Sequence, residues 1–477
     1  MQTPRFSVVI PSYNQAPFVG DAIQSVIEQT YPDFEIIVVD DASPDNSNEI
    51  IQGFTDPRVR LIRHEKNRGL PAARNTGMRA ARGEYIALLD ADDYFHPEKL
   101  AAHAAFIEHN SEVEITYNSR FDLHHSADKI RAIYRPPESI SLTELVLSFP
   151  FSPSDMVLRR ACIEDAGLFD ESYRCGGEDL DYPCRLALAG KRFARVDRAL
   201  NYRRFHTGRR KKRLDCRAND YAHALTQIFD DPRFPADLLH LRSQTFANHY
   251  LEVACWALMQ EEYVFGNKML RKISDLESDI FDGNPAPLVR ALLKQSIRDF
   301  QEDHETHMRR IFASLESPFD RLRTQLDWAI AHGYLRKGMQ EILWDRIETG
   351  EQYLRAAKEH QAAAEPPLLD AAVAQLLLIR QELGDNVAEH ALDNLVKVLP
   401  IVGNASDIRY VRGVYNLNQA FARYRAGKSS ATLRALGRVA RHAPEKLINR
   451  GAAAIAVKSL LRIHPKRSGI SDHNQTP

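Results

Sequence analysis

Three carboxylates lie within four residues at the end of an apolar run. The run spans residues 84–89, and Asp90, Asp92 and Asp93 follow it directly. A run of this kind is typical of a buried strand, and open α/β sheets bind ligands beyond the carboxyl ends of their strands. Clustered carboxylates at that edge indicate a Mg²⁺ or Mn²⁺ site. The alternative is that Asp92 or Asp93 caps a following helix that has Pro97 at its first position.

The elements before this run predict where its carboxylates lie. Apolar runs at 6–10 and 34–39 are typical of buried strands, and apolar residues at helical spacing occur between them. Strand, helix and strand form a βαβ unit, so we expect an α/β domain with a largely parallel sheet. The loops at 11–14, 40–43 and 90–93 then leave the same edge of the sheet, where they can meet at one ligand.

The composition excludes several classes of protein. The 477 residues include 63 Lys and Arg and 64 Asp and Glu, a net charge of −1, which does not favour nucleic-acid binding. The five cysteines are odd in number and have no CxxC spacing, which argues against a disulfide framework and a zinc site. We therefore expect reduced thiols and a cytoplasmic protein. No apolar run approaches the roughly 18–20 residues of a membrane span, so we expect a soluble or peripheral protein.

Five segments together carry a family resemblance. In order they are residues 8–14 (VVIPSYN), 38–43 (VVDDAS), 67–75 (NRGLPAARN), 90–93 (DADD) and 176–181 (GGEDLD). Their order and spacing resemble those of family-2 glycosyltransferases, which have a GT-A fold. The resemblance implies that residues 1–215 form a catalytic domain that transfers a sugar from a nucleotide-diphosphate sugar, with a UDP-sugar as the expected donor.

The resemblance also implies which residues hold the nucleotide. Pro11 and Tyr13 would line the nucleobase, while Asp41 would accept a hydrogen bond from a ring nitrogen with Asp40 beside it. A carboxylate suits this task because charge-assisted hydrogen bonds are the stronger ones. The alternative is that Asp40 or Asp41 caps the next turn.

The family's metal-binding element corresponds to Asp90-Ala91-Asp92. Asp92 would coordinate Mn²⁺ or Mg²⁺ directly, and Asp90 would be shared between metal-bound water and the ribose. His206, from the family's terminal segment, would reach back to the same metal. Arg74 and Asn75 would reach the donor, although Arg74 could equally pair with a surface carboxylate.

The acceptor side is implied by the last segment. In the family the second acid of the Glu178-Asp179 pair is the general base, so Asp179 would take the acceptor proton, with Glu178 beside it. The reaction would be a single displacement with inversion. The alternative is that these acids merely favour the first turn of a helix, but that leaves the two preceding glycines unexplained.

The carboxyl-terminal half has a different pattern. Apolar residues recur at spacings of three and four residues along 216–467, which predicts an all-helical region. We expect tetratricopeptide-like packing of its helices and a break between two subdomains near 345–367. We expect a disordered tail at 468–477. The cationic stripe at 447–467 is most simply a face that packs on neighbouring helices; the alternative is peripheral contact with the inner face of the plasma membrane. The basic run at 209–213 is either a lid over the donor or a solvated loop.

These observations predict an inverting, metal-dependent glycosyltransferase, hexosyl or N-acetylhexosaminyl, that acts on a carbohydrate or lipid-linked glycan acceptor in polysaccharide biosynthesis. The first alternative is a catalytically inactive domain of the same fold that binds a protein partner, or a second copy, through its helical half. A nucleotidyltransferase is a more distant alternative, since it would not need the Gly-Gly-Glu-Asp segment.

Overall fold

The computed structural model describes residues 3–123, 129–205, 213–298, 304–448 and 450–461. These residues form nine β-strands: β1 Phe6–Ser12, β2 Phe34–Asp40, β3 Val59–Arg63, β4 Tyr85–Leu88, β5 Tyr94–Phe95, β6 Ile115–Leu123, β7 Ile130–Tyr134, β8 Met156–Arg159 and β9 Phe193–Arg203.

The α-helices of the amino-terminal half of the chain are α1 Val19–Ile27, α2 Ser47–Gln52, α3 Leu70–Ala80, α4 Lys99–His109, α5 Leu142–Ser148, α6 Cys162–Ala166, α7 Glu178–Leu188, α8 Leu214–Asp230 and α9 Arg242–Met259. Those that follow are α10 Tyr263–Ser274, α11 Pro287–Arg298, α12 His304–Ser314, α13 Leu326–Leu343, α14 Ile347–Glu359, α15 Pro366–Leu383, α16 Asp385–Val398, α17 Ala405–Arg425, α18 Ser429–His442 and α19 Arg450–Leu460.

The strands form one mixed sheet in the order β3-β2-β1-β4-β8-β6-β9-β5, with β7 on β6. The first four strands of this order are parallel, as the βαβ pattern predicts. Beyond β4 the sheet changes direction, because β8 runs antiparallel to both β4 and β6. The prediction of an α/β domain followed by an all-helical region is confirmed, and the expected parallel character holds for the half of the sheet that carries β1, β2 and β4.

Alternate residues of the strands face two apolar layers. Val8 and Ile10 pack with α1 on one face, whereas Val9 packs on the other face with residues of α3 and α7. This is the two-residue period of a strand buried on both sides. The second layer continues into α8 through Tyr221 and Leu225.

The chain divides into two compact units, Met1–Ala329 and Ile330–Pro477. From Leu214 onward, all regular elements among the described residues are helices. In the second unit α17 and α18 pack around a small core of apolar side chains that also includes Ile455 of α19. The catalytic-domain boundary at residue 215, the break near 345–367 and the tetratricopeptide-like packing remain predictions.

None of the helices in the described parts of the chain combines the length and the apolar character that a membrane crossing requires.

Candidate active site

The three clustered carboxylates follow β4 at the sheet edge. Asp90, Asp92 and Asp93 each offer an oxygen, and these oxygens lie within 4.8 Å of one another. Asp92 and Asp93 are almost fully buried, while Asp90 is partly exposed. Helix α4 begins only at Lys99, with Glu98 at its N-cap, so the helix-capping alternative for Asp92 and Asp93 is wrong. An all-oxygen set of this kind fits a hard divalent cation.

Arg74 connects this cluster to the acceptor-side segment. Its guanidinium donates to Asp90 Oδ1 at 2.8 Å and to Glu178 Oε1 at 3.1 Å, and the residue is 2% exposed. Burial alone would lower the pKa of Arg74, but the charges of Asp90 and Glu178 raise it above its ordinary value. The arginine is therefore a buried cation shared by two predicted site carboxylates, and not a partner of a surface acid.

Asn75, the neighbour of Arg74 on α3, has a different set of contacts. Its amide donates to Phe169 O at 2.8 Å and to Glu171 Oε1 at 3.0 Å, and its Oδ1 accepts from Phe169 N at 2.9 Å. These bonds fasten the loop after α6 to α3. The role predicted for Asn75 at the donor remains a prediction.

The predicted nucleotide-binding residues lie where β1 and β2 end. Ser12 and Asp40 are register partners in these strands. Tyr13 follows β1 and is 46% exposed, so its ring is open for stacking on a base, while Pro11 is buried within the strand. Asp40 is fully buried and accepts a hydrogen bond from Ser43 N at 3.0 Å.

Asp41 organises the loop that leads into α3. His64 Nδ1 donates to its Oδ1 at 2.6 Å, and the backbone N–H groups of Arg68 and Gly69 donate to its two oxygens at 2.8 Å each. His64 Nε2 accepts from the Thr76 hydroxyl at 2.9 Å, which fits the tautomer with the proton on Nδ1. Asp41 thus fixes the start of the helix that carries Arg74. Contact with a base nitrogen remains a prediction for it.

Asp179 is bound by a residue that the sequence did not suggest. The Tyr221 hydroxyl lies 2.7 Å from Asp179 Oδ1 and 2.9 Å from Oδ2, so it donates across the carboxylate. Burial raises the pKa of Tyr221 well above its ordinary value; the charge of Arg217 opposes this, and those of Asp179 and Glu178 add to it. The Tyr221 ring stacks on His249 and lies under the Arg217 guanidinium. Tyr221 therefore remains a protonated donor in a fixed position.

Helix α8 holds the whole segment that precedes Asp179. Asp220 accepts hydrogen bonds from Arg174 N at 2.8 Å and from Cys175 N at 2.7 Å. Cys175 is also joined to Cys216 by a disulfide. The expectation of unpaired cysteines is wrong at this pair, because the two residues are 41 positions apart and only the tertiary fold brings them together. Cys162, Cys184 and Cys255 are free and buried.

The two glycines before Glu178 have a structural reason. Gly176 and Gly177 have φ values of 136° and 93°, which disfavour other residues. A Cβ on Gly176 would lie 2.6 Å from the Tyr221 ring, and one on Gly177 would lie 3.0 Å from Asp220 O. The segment therefore needs glycine to approach α8 closely enough for Tyr221 to reach Asp179.

The structure connects some of the predicted site residues directly. Asp90, Arg74 and Glu178 form one connected group, and Asp179 extends it to Tyr221. His206 and residues 209–212 of the basic run lie outside the described residues. The contributions of His64 and Tyr221 were not predicted, because single buried polar residues in helices and loops carry no local sequence signal.

The fold and site define an α/β domain with an acidic cluster at a sheet edge, a form suited to a nucleotide-diphosphate and a divalent cation. Residues 7–160 match the family model described as Glycosyl transferase family 2, so this part of the chain is a family-2 glycosyltransferase domain. The resemblance read from the sequence motifs is thereby confirmed.

Curated relatives share this part of the chain. An uncharacterized glycosyltransferase, EpsJ of Bacillus subtilis, is 48% identical over 93 residues, which are 19% of this chain and 27% of that protein. The putative teichuronic acid biosynthesis glycosyltransferase TuaG of Bacillus subtilis is 37% identical over 110 residues, which are 23% of this chain and 44% of that protein. The succinoglycan biosynthesis protein ExoO of Rhizobium meliloti is 42% identical over 99 residues, which are 21% of this chain and 28% of that protein. The chain thus spans less than half the length of each of these relatives.

A solved structure with a weaker likeness is S. aureus TarS 1-349 in complex with UDP-GlcNAc. It has a TM-score of 0.43 and 17% sequence identity, and the alignment covers 75% of this chain and 91% of that chain.

Proposed function

We propose that this chain is an inverting, metal-dependent glycosyltransferase that moves a sugar from a nucleotide-diphosphate sugar, most simply a UDP-sugar, to a hydroxyl of a polysaccharide or glycoconjugate. The observation that carries the proposal is the Arg74 bridge between Asp90 and Glu178. It links a carboxylate group suited to a cation with the segment that holds Asp179. The matched family supports glycosyl transfer.

The residues divide the reaction between them. Asp90 and Asp92 would hold a Mg²⁺ or Mn²⁺, which supplies Lewis-acid stabilisation of the diphosphate leaving group. Asp179 takes the proton of the acceptor hydroxyl while that oxygen forms the new bond to the anomeric carbon. The bond between this carbon and the diphosphate oxygen breaks, and the nucleoside diphosphate leaves with the electron pair. One displacement inverts the anomeric centre, and no covalent intermediate with the protein is needed.

Two features position the base for this step. Tyr221 donates to both oxygens of Asp179, so the carboxylate is held in one orientation. Arg74 compensates the charge of Glu178, the residue next to the base, which limits repulsion between adjacent carboxylates. The names of the relatives TuaG and ExoO refer to polysaccharide biosynthesis, and this favours a glycan acceptor. The choice of hexose or N-acetylhexosamine, a cytoplasmic location and contact with the inner membrane face remain predictions.

The proposal is tested by separating donor binding from transfer. Calorimetric titration of the full chain with UDP should show binding that strengthens when Mn²⁺ is present, and Asp92→Asn should remove this coupling. Asp179→Asn should keep the coupled binding and lose transfer in a panel of UDP-, GDP- and dTDP-sugars. Wild-type turnover in Asp179→Asn would exclude this residue as the base. Coupled binding without any transfer in the whole panel would instead favour the binding-protein alternative.

A further inference from the structure

A cavity of about 390 Å³ lies among helices α15 to α18 of the second unit. Five cationic side chains and one carboxylate line it, and we call it the cationic cleft: Arg380, Asp385, Arg423, Lys428, Arg434 and Arg438. The remaining lining residues are alanines. Small side chains between long cations leave open space that the cations surround, and the volume is within the usual range of roughly 300–1,000 Å³ for small-molecule sites.

The positive charge of the cleft is mostly uncompensated. Asp385 accepts from Arg380 Nε at 2.6 Å and lies 3.4 Å from Arg423, so one carboxylate serves two arginines. Arg438 donates to the neutral side chains of Asn416 and Gln419.

Lys428 and Arg434 form no ion pair within the part of the chain that the structure describes. Five cations therefore face one lining carboxylate, an excess of four positive charges.

Arg423 lies between the carboxylate of Asp385 and the other arginines of the cleft. Burial lowers the pKa of Arg423, and the neighbouring charges of Arg380 and Arg438 lower it further, although Asp385 opposes them. A bound anion would add a second opposite charge beside this partly buried arginine, which Asp385 alone does not supply.

The charge is local to these helices. Residues 405–442, which span α17 and α18, contain eight Lys and Arg but one acidic residue, Asp407, whereas the net charge of the entire chain is −1. Such a concentration differs from the mixed surface charge that solubility alone requires. It supplies a positive field around the cavity.

We propose that the cationic cleft binds a phosphate monoester, such as the phosphate group of a phosphorylated sugar. An arginine guanidinium can donate two parallel hydrogen bonds to two oxygens of one phosphate, and Lys428 adds a point charge. The cavity has space for the phosphate and an attached small polar group.

A membrane lipid fits the cleft less well. The cations line a recess, and the exposed large apolar side chains of this unit, such as Ile448, Val457 and Leu460, are not among its lining. A headgroup site on a bilayer would need apolar side chains beside the cations for insertion. This proposal is independent of the function proposed for the first unit.

The test uses calorimetric titration of the full chain with glucose 6-phosphate, with glucose as the uncharged probe. Lys428→Gln/Arg434→Gln should weaken glucose 6-phosphate binding by about tenfold for each cation removed, since a hydrogen bond to a charged group contributes about 1.4 kcal/mol or more. The matched control is Arg409→Gln/Arg425→Gln, which removes two exposed cations of α17 outside the lining and should change the affinity by less than about twofold.

A second measurement keeps the test independent of folding. Without ligand, Lys428→Gln/Arg434→Gln should unfold at the same temperature as the wild type or a higher one, because two repelling charges are gone. Equal binding of inorganic phosphate would support the site and identify phosphate itself as the recognised group. Unchanged affinity in the cleft variant would overturn the proposal. So would binding only to vesicles of phosphatidylglycerol and phosphatidylcholine, which would identify a membrane contact instead.

Discussion

The sharpest prediction concerns the hydroxyl of Tyr221. Tyr221→Phe removes the hydroxyl that binds Asp179 and keeps the ring, which stacks on His249 and lies under the Arg217 guanidinium. It also removes a longer hydrogen bond, 3.4 Å, that Arg217 donates to the same hydroxyl. The hydroxyl donates to both carboxylate oxygens, at 2.7 and 2.9 Å, in a buried place. The contact is therefore a charge-assisted hydrogen bond that water replaces poorly.

The expected effect follows from the size of such a bond. A hydrogen bond to a charged group contributes about 1.5–3 kcal/mol. If this energy holds Asp179 in its reactive orientation, its loss should lower kcat by about tenfold to hundredfold. KM for the donor should stay the same, because the hydrogen bonds of the Tyr221 hydroxyl join it to Asp179 and Arg217, neither of which belongs to the predicted donor site. A fall in kcat with unchanged donor KM distinguishes positioning from general damage.

The control variant is Tyr182→Phe. Tyr182 lies on α7, three positions after Asp179, and is fully buried, but its hydroxyl has no hydrogen-bond partner among the described residues. Both variants lose one buried hydroxyl, but only Tyr221→Phe removes hydrogen bonds to Asp179, together with the longer bond from Arg217. The measurement is steady-state transfer at saturating acceptor, together with the thermal unfolding midpoint of each variant. Equal kcat in Tyr221→Phe and Tyr182→Phe would refute the positioning role.

Three further predictions address stability. Arg74→Met should lower the free energy of unfolding by about 3–5 kcal/mol, because it leaves the buried Glu178 and the partly exposed Asp90 without their cation. Adding Glu178→Gln should recover part of the loss in urea titrations, and no recovery would contradict the ion-pair explanation. Burial lowers the pKa of His103 to about 3 from its ordinary 6.5, so the unfolded chain takes up a proton between these values and the folded chain does not. The free energy of unfolding should therefore fall as pH drops through that range, by up to about 1.4 kcal/mol per pH unit. In His103→Gln the free energy of unfolding should depend less steeply on pH. The same pH dependence in the wild type and the variant would refute this explanation. Cys175→Ser should lower stability by up to about 4 kcal/mol and abolish the effect of dithiothreitol on the unfolding midpoint, whereas a remaining effect would show that another disulfide matters.

Local patterns in the sequence were sufficient for the frame of the site. The runs before Asp40 and Asp90 predicted two strands of a parallel sheet; they lie on either side of β1, and the polar residues after them lie at one sheet edge as expected. Patterns of this kind work because strand burial and strand ends depend on adjacent residues. The direction change at β8 was not predictable in the same way, since it depends on how distant strands pair.

The contacts that complete the site could not be predicted from the sequence, for a different reason. Tyr221 and Cys216 lie on α8, which follows the motifs by dozens of residues and reads as an ordinary amphipathic helix. Its packing on α7 and α9 decides that one tyrosine meets Asp179 and that one cysteine meets Cys175. The one indication in the sequence was the glycine pair Gly176 and Gly177, which allows another element, here α8, to lie close to this segment.

The shared position of Arg74 has a kinetic consequence. A metal cation that binds Asp90 competes with the Arg74 guanidinium for the same carboxylate. If the pair between Arg74 and Asp90 weakens, the ion pair between Arg74 and Glu178, which is next to Asp179, becomes stronger. Arrival of the donor would then change the surroundings of the base before the acceptor enters. We expect a compulsory order of binding, with the donor first, and product-inhibition patterns in which the nucleoside diphosphate competes with the donor alone.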